Sequence, residues 1–497
     1  MAWPKLKSAG RSGPPTVGEA HHPATGAGVQ QSDVTPHRAG AGTSAGAWYG
    51  WAAALVTVVA TLLAMAVTAG IGLWLAQADS LPRGAFPSVL AATVLMALGV
   101  PADVDGSAGF LAQAQGGIDA LPLSVGLVGA LVAACCFLRP RRFRAVAGWT
   151  ELLGAVVRTA VLWVAALLLI AWRARHSFSV STGNGLADTI GSAIGVTPTV
   201  GFRVGPAAAA GWGLLWLVVV LLLAFAVSRR TPLPVGLVRG RATVQPSAAA
   251  MVLLLLVCAG LGVVAGIVTA LTRGEARETF AVVFLAVPNL AWLALGVGLG
   301  GSWHGHVSGS IGLPMPKALA AVLETSRTAD TTVDLSSLAR QDGWVWLLPV
   351  LAGLLLLVAA VVTALRAHVR PRPWQHALRT GVALALTMLL VGLLTRVSAS
   401  YGLSLLGVGD TSGLARLLGG GSGSGSGGGV PVSGSVTLIP DLLRTVGFGA
   451  LWGAVAGFLG ALLVPYLAGR TGPGPQPGPQ SGAGPQPGMR PGARPGA

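Results

Sequence analysis

The sequence predicts an all-α, polytopic helical membrane protein made of two parallel repeats, each with four spanning helices. Hydrophobic residues make up 53% of the chain and charged residues only 10%, whereas roughly a quarter of a soluble domain is charged. The hydrophobic pattern also occurs twice. Leu138-Arg139-Pro140-Arg141 ends an apolar run, and Val369-Arg370-Pro371-Arg372 does the same 231 positions later; Gly211–Trp216 opens a run, and Gly447–Trp452 does so 236 positions later.

Eight apolar runs have the length that a bilayer requires. A spanning helix needs ~20 mostly apolar residues, because each residue adds ~1.5 Å toward a core ~30 Å thick. Such runs cover 51–76, 121–138, 152–172, 207–228, 248–272, 344–366, 378–397 and 442–467. Trp residues at the ends of several runs suit the headgroup level and support these boundaries.

Two further segments, 85–100 and 280–300, are apolar but irregular. The first is short and contains Pro87, and the second is interrupted by Pro288-Asn289. Proline removes a backbone donor and breaks the helical hydrogen-bond ladder. We therefore expect each to be a re-entrant or interfacial segment that lies between the first and second span of its repeat.

The distribution of charge favours eight crossings with both termini in the cytoplasm. Short cytoplasmic loops collect Lys and Arg, and this topology places 19 of the 32 basic residues inside, including those of 139–144 and 366–372. The alternative is ten spans with inverted repeats. It would put 139–144 outside and its repeat partner inside.

The remaining segments are polar. We predict a disordered cytoplasmic tail over 1–47 and a first membrane repeat over 48–230. A basic cytoplasmic linker over 231–247 then leads to the second membrane repeat, over 248–467. The Gly/Ser tract 419–429 is typical of a flexible linker, and the Pro/Gly/Gln-rich end, 468–497, of a second disordered tail.

A transport path is the one functional site that the sequence suggests. Interrupted segments at matching positions of two repeats indicate such a site, and an ionisable residue within a span is a functional candidate. The candidates are Pro87, Arg158, Pro288 and Asn289. Arg158 has a simpler interpretation, in which its side chain reaches back to the headgroups.

No catalytic, cofactor-binding or metal-binding residues are predicted. His304-Gly305-His306 lacks further ligands at metal-site spacing and is interpreted as a chance pair of loop histidines. The acidic stretch 101–106 lacks most of a calcium loop and is interpreted as a solvated turn. No cofactor is expected. The net charge of +16 is assigned to loops and tails that face anionic membrane lipid, so nucleic acid is not expected as a partner.

The chain resembles the streptophobe family of very hydrophobic multi-pass proteins. The residues that carry the resemblance are Leu81–Pro87, the acidic loop Asp103–Gly109, Leu121–Ser124, Phe137–Pro140 and the Pro-Gln-Pro-Gly tail. It implies a membrane location. It implies no activity, and no residue roles are carried over from it.

The function expected from the sequence is therefore a non-enzymatic one. A multi-pass protein of the cell membrane with a scaffolding or regulatory role in the cell envelope is the leading hypothesis. The alternative is a transporter or channel-like permease with its path at the repeat interface. A solid, apolar interface would argue against transport, and a polar cavity at mid-depth would favour it.

Overall fold

The computed structural model describes residues 42–80, 85–108, 112–139, 149–174, 176–179, 199–228, 235–274, 276–308, 331–366, 372–405 and 433–468. The chain divides after Trp48 into a small unit and a large one. Of the small unit only 42–48, the first turns of a helix, is described. The rest of the two repeats belongs to the large unit. Residues 1–41 and 469–497 of the predicted tails, and the Gly/Ser tract, lie outside the described residues.

Eleven helices account for most of the described chain. They are α1 (Gly42–Leu75), α2 (Ala85–Met96), α3 (Leu123–Leu138), α4 (Trp149–Ala174), α5 (Pro206–Val227), α6 (Val235–Arg273), α7 (Ala276–Gly298), α8 (Leu335–Gln341), α9 (Leu347–Arg366), α10 (Pro373–Leu394) and α11 (Leu442–Ala468). Helix α6 begins inside the stretch expected to be a linker, so 235–247 is helical.

Eight of these helices are long and apolar enough to cross a membrane. Many of their large side chains point away from the protein, such as Leu63, Leu169 and Leu354, which are 57–62% exposed. In water this surface would be prohibitive, but in a bilayer it faces lipid tails. The predicted polytopic helical membrane architecture is confirmed.

Aromatic residues mark the thickness of the membrane along α1. Trp51 and Trp74 are both largely exposed, at 42% and 55%. The separation of the two positions in the helix corresponds to ~34 Å. This matches a hydrocarbon core of ~30 Å with an indole ring at each interface.

The connections between helices form an eight-stranded antiparallel sheet that was not expected from the sequence. The strands are β1 (Ala102–Ala108), β2 (Ala112–Asp119), β3 (His176–Ser179), β4 (Thr199–Arg203), β5 (Trp303–Ser308), β6 (Thr331–Val333), β7 (Val397–Leu405) and β8 (Ser433–Pro440). Their order is β3-β4-β1-β2-β7-β8-β5-β6. Helix α8 follows β6, and the Asp334 side chain caps it by accepting a hydrogen bond from the Ser337 N–H.

The duplication is also visible in the strand order and the register of the sheet. Strands of the first repeat follow the order 3-4-1-2, and those of the second follow the equivalent order 7-8-5-6. Asp103 pairs with Arg203 in the first repeat, and His304 pairs with Ile439 in the second. The separation of 236 positions from Arg203 to Ile439 equals the offset seen between the helix motifs at Gly211 and Gly447.

The turns that lead into the sheet are also duplicated. Gly99 and Gly300 lie 201 positions apart, as do Asp103 and His304, and both glycines have positive φ, +88° and +93°. This backbone conformation is readily available only to glycine. Pro87 and Pro288 have the same separation, so α2 corresponds to the second half of α7.

The two repeats have the same orientation in the membrane. An open sheet edge does not occur in lipid, because its unpaired backbone groups would be unsatisfied. The sheet therefore lies at one face of the membrane, and equivalent strands of both repeats join it there. Inverted repeats would put these strands at opposite faces, so the sheet favours the parallel arrangement over the ten-span alternative.

The sheet also shows which segments cross. Helices α3 and α4 connect β2 to β3, so both cross or neither does, and α4, with 26 residues, is long enough. Helix α3 has only 16 residues. Three helices, α5, α6 and α7, connect β4 to β5. An odd number of crossings cannot return the chain to the same face, so one of the three does not cross.

We infer that α7 is the one that does not cross, although α7 is among the eight helices that are long and apolar enough to span a membrane and the 16-residue α3 is not. Its C-terminus leads directly into β5. Asn289 lies beside Leu121 and Leu123, which follow β2. At its N-terminus Arg277 donates a hydrogen bond to the Trp74 carbonyl, at the end of α1. All three points lie at the face of the membrane that holds the sheet, as expected for a re-entrant or interfacial segment.

Two interpretations of loops are wrong. The acidic stretch 101–106 is largely strand β1 rather than a turn, and His304-Gly305-His306 lies in β5 rather than in a loop. Both become strands because neighbouring antiparallel strands satisfy their backbone groups on two sides.

Candidate functional site

The two repeats meet below the sheet, where Asn289 joins them. Its Nδ2 donates to the Leu121 carbonyl over 2.8 Å, and its Oδ1 accepts from the Leu123 N–H over 3.2 Å. Ser124 adds a hydrogen bond from its hydroxyl to the Val283 carbonyl, at 2.9 Å. The Asn289 amide of the second repeat thus satisfies backbone groups at the start of α3 in the first repeat, where a helix provides no partner of its own.

Pro288 shapes this junction without ending the helix. It is buried inside α7, which continues on both sides of it. Since proline has no N–H, the ladder loses one bond here. Helices α6 and α7 pack closely at Gly262 and Gly266 of α6, where an added Cβ would lie 2.9 Å from Val287 and 2.6 Å from Val283. These two glycines therefore allow the close approach of the helices.

A second connection between the repeats lies at the C-terminal end of α1. The Arg277 guanidinium donates to the Trp74 carbonyl over 3.1 Å, lies 5.6 Å from the centroid of the Trp74 ring, and approaches Asp79 to 3.8 Å. The ion pair is about half exposed on both sides, so it contributes little on its own. The ion pair and the hydrogen bond to Trp74 instead position the start of α7 at the sheet side.

The predicted path residues differ in their surroundings. Pro87 is exposed on α2, whereas Pro288 is buried in α7. Arg158 lies 16 residues before the end of α4, which leads into β3, and this corresponds to ~24 Å below the sheet. Its guanidinium covers Gly50 of α1, near the exposed Trp51. Arg158 thus lies at the opposite interface from Pro288 and Asn289.

Buried hydroxyl groups within the spans are mostly satisfied by their own helices. Six buried threonines donate to the carbonyl four residues earlier, over 2.6–2.9 Å: Thr57, Thr61, Thr159, Thr380, Thr387 and Thr395. In the described part of the chain, the Thr445 hydroxyl is the one buried side-chain polar atom without a partner. This arrangement is typical of packed helices rather than of a hydrated path.

His376 is a buried polar residue that the sequence analysis missed. The apolar run predicted from the sequence begins at 378, but α10 begins at Pro373 and includes His376. Its Nε2 lies 3.2 Å from the Ala360 carbonyl and 3.3 Å from the Thr363 hydroxyl, both in α9. The early Pro373, a favoured residue in the first helical turn, is the signal that could have identified it.

The sheet has one buried and one open face in the second repeat. Trp303, Val333, Val436 and Leu438 are at most 7% exposed, and three of them, Trp303, Val333 and Leu438, pack in one cluster with Val297 of α7. The alternate residues His304, His306, Thr332 and Ile439 are exposed. Among the described residues, no group of three or more His, Cys, Asp or Glu side chains could hold a metal ion. In the second repeat the open face thus presents His304, His306 and Thr332 together with the apolar Ile439.

Comparisons with protein-family models, with curated proteins and with solved structures found nothing that matches this chain.

We expect the Asn289→Ala substitution to loosen the joint between the repeats. The Leu121 carbonyl and the Leu123 N–H would each lose a partner, and this costs ~1–3 kcal/mol of unfolding free energy. The Ser124→Ala variant, which removes one hydrogen bond at the same joint, should cost about 1 kcal/mol. Equilibrium unfolding in detergent measures both values. An Asn289→Ala cost no larger than that of Ser124→Ala would contradict this role of the amide.

Proposed function

We propose that this chain is a non-enzymatic scaffold of the cell envelope. Eight crossings anchor it in the cell membrane, the sheet lies on the outer side, and both termini lie in the cytoplasm. The open face of the sheet is the surface that receives a partner protein.

The observation that carries the proposal is the ladder between β2 and β7. Eight residue pairs, from Ala112 with Leu405 to Asp119 with Ser398, join the first repeat to the second. A carrier that works by alternating access rocks one repeat against the other. Here that motion would strain a continuous sheet and the Asn289 joint together. The rigid connection favours a scaffold over the alternative, a transporter or channel-like permease with its path at the repeat interface.

The orientation is supported by the charges at the two faces. Among the described residues, the side opposite the sheet holds seven arginines and one acid, Glu151, whereas the sheet side holds seven arginines and eight acids, so only the side opposite the sheet has a net positive charge. Basic residues collect on the cytoplasmic side of a membrane. The sheet side is accordingly assigned to the outside.

Photocrosslinking in cells tests the partner surface. A photoreactive amino acid replaces the exposed His304 or Thr332 on the sheet, and a matched control replaces Leu354 or Leu386, which are 57% and 61% exposed on spanning helices. We expect discrete protein adducts from the sheet positions and lipid adducts from the helix positions. Lipid adducts alone from every position would contradict the proposal.

A flux assay tests the alternative. Gly117 and Ser400 face each other across the β2–β7 ladder, so the double variant Gly117→Cys/Ser400→Cys locks the repeats together when it is oxidised. Proteoliposomes with the reduced and oxidised forms are compared for uptake of ions, sugars and amino acids. We expect no uptake above that of protein-free vesicles. Uptake by the reduced form that oxidation abolishes would overturn the scaffold proposal in favour of a carrier.

A further inference from the structure

We propose that copies of this chain assemble head to tail in the membrane, by pairing of β6 in one copy with β3 in the next. The occupant of each sheet edge is thus a second copy of the same chain. The inference concerns the edges of the sheet, and it is independent of what its open face binds.

The two ends of the sheet are edge strands. In the described part of the chain, β3 pairs only with β4, and β6 pairs only with β5. An edge strand presents a row of backbone donors and acceptors that can pair with another chain. Strand addition of this kind is a common mode of recognition between proteins.

The chain already makes the complementary contact once, between its own repeats. The internal joint pairs β2, the last strand of the first repeat in the sheet, with β7, the first strand of the second. Since the repeats follow the same strand order, β6 is the equivalent of β2, and β3 is the equivalent of β7. The two edge strands, β6 and β3, are therefore equivalent to β2 and β7, the two strands that pair at the internal joint.

The register of the internal joint defines the register between copies. Ile118 pairs with Ala102, and Val333 pairs with Trp303, so Gly117 corresponds to Thr332. In the same way His176 pairs with Phe202, and Val397 pairs with Leu438. This correspondence makes Ser179 the equivalent of Ser400. Because Gly117 pairs with Ser400, Thr332 of one copy should pair with Ser179 of the next.

The membrane orientation is compatible with this assembly. The operation that relates the first repeat to the second keeps both upright in one bilayer, so its repetition places a second copy in the same bilayer. A head-to-tail contact is heterologous and builds a ring or an open row. The described edges are short, with three residues in β6 and four in β3. Confinement to a membrane raises the effective concentration at which short edges meet.

Cysteine crosslinking tests the proposal in membranes that contain the full chain. The native Cys135, Cys136 and Cys258 are replaced by Ala, and Thr332→Cys and Ser179→Cys are introduced together. Seven strand spacings separate the two ends of the sheet, which is roughly 34 Å, so a disulfide between them joins two chains. We expect mild oxidation to shift the protein from the mass of one chain to that of two or more.

Two matched variants calibrate the experiment. The Gly117→Cys/Ser400→Cys pair has the equivalent register inside one chain, where an added Cβ at Gly117 would lie 3.7 Å from the Ser400 hydroxyl. It should oxidise without a shift to the mass of two chains. Ser336→Cys with Ser179→Cys places the thiol on α8, beyond the end of β6, and should leave the protein as single chains.

Single variants distinguish the proposed contact from a symmetric one. Thr332→Cys and Ser179→Cys chains should crosslink only when the two are expressed together. Crosslinking of either variant with itself would indicate β6–β6 or β3–β3 pairing and would overturn the proposal. Single chains from the double variant, despite an oxidised internal control pair, would overturn it as well.

A measurement without introduced cysteines covers the case in which the double variant does not fold. The native chain in nanodiscs of increasing size is compared with Thr332→Pro, which removes a backbone donor from the edge strand. Native mass spectrometry should give two or more chains for the native protein and a loss of these species for Thr332→Pro. Single chains for both would overturn the proposal.

Discussion

The Trp303→Ala substitution should be among the most destabilising single changes in this protein. Trp303 is 0% exposed and opens β5, where its indole N–H donates to the Thr395 hydroxyl over 3.3 Å. Its ring also covers Gly296 of α7 and belongs to the cluster that attaches the sheet to the helices. Truncation of a buried Trp costs ~3–5 kcal/mol. We expect a loss of this size in the free energy of unfolding.

Trp344→Ala is the matched control. Trp344 lies at the same side of the membrane, in the short helical turn Gly343–Trp346, but it is 77% exposed. Its truncation leaves no cavity, so unfolding in detergent should change by less than ~1 kcal/mol. Equal costs for the two variants would show that Trp303 does not attach the sheet to the helices.

The Gly453→Val substitution should separate α10 from α11. An added Cβ at Gly453 would lie 2.7 Å from the Thr380 carbonyl oxygen and 2.9 Å from the Gly381 Cα. These are backbone atoms, which cannot turn aside as a flexible side chain can. Overpacking of this kind costs typically ~1–3 kcal/mol and occasionally more. We expect a cost of about 3 kcal/mol, measured by thermal or detergent-induced unfolding.

Gly447→Val provides the control within the same helix. Nothing lies within 4 Å of a Cβ built at Gly447, and the change in helix propensity is the same at both positions. Near-native stability is therefore expected. If Gly447→Val and Gly453→Val were equally destabilising, close packing of α10 against α11 would not be the cause.

The helices and the duplication could be predicted because lipid imposes a simple rule on them. A run of ~20 apolar residues is visible in the sequence whatever it packs against. The motifs at Leu138–Arg141 and Gly211–Trp216 repeat because equivalent helices end and begin at the same points. Pro87 and Pro288 drew attention to the two irregular segments, since proline disturbs a helix wherever it occurs.

The sheet was missed because its strands depend on partners that lie far apart in sequence. Strand β2, AQAQGGID, and strand β7, VSASYGLSL, are rich in small and polar residues and carry little β propensity. They pair with each other across more than 250 residues. The alternation of Trp303, Gly305 and Val307 with His304 and His306 was a local signal of a strand.

The joint at Asn289 could not be predicted from the sequence for a similar reason. Asn289 stood out because it follows a proline in an apolar run, but its hydrogen bonds to Leu121 and Leu123 span more than 160 residues. Arg158 was grouped with Asn289 only because it is an ionisable residue within an apolar run. Depth in the membrane separates them, and depth follows from how α4 connects to β3, which composition does not reveal.

The central claim is that α7 enters and leaves at the sheet side, so that each repeat crosses the membrane four times. A cysteine-accessibility map in intact cells tests it most directly. Single reporter cysteines replace the exposed residues Glu278, His304, Arg139 and Arg372, one at a time, in a variant without the three native cysteines. A membrane-impermeant maleimide then labels the outer side.

We expect labelling at Glu278 and His304 in intact cells, and at Arg139 and Arg372 only after the cells are permeabilised. Positions 278 and 304 flank α7, so their shared accessibility means that α7 does not cross. Labelling of 304 with protection of 278 would mean that α7 spans the bilayer, and this would contradict the account of two parallel four-span repeats.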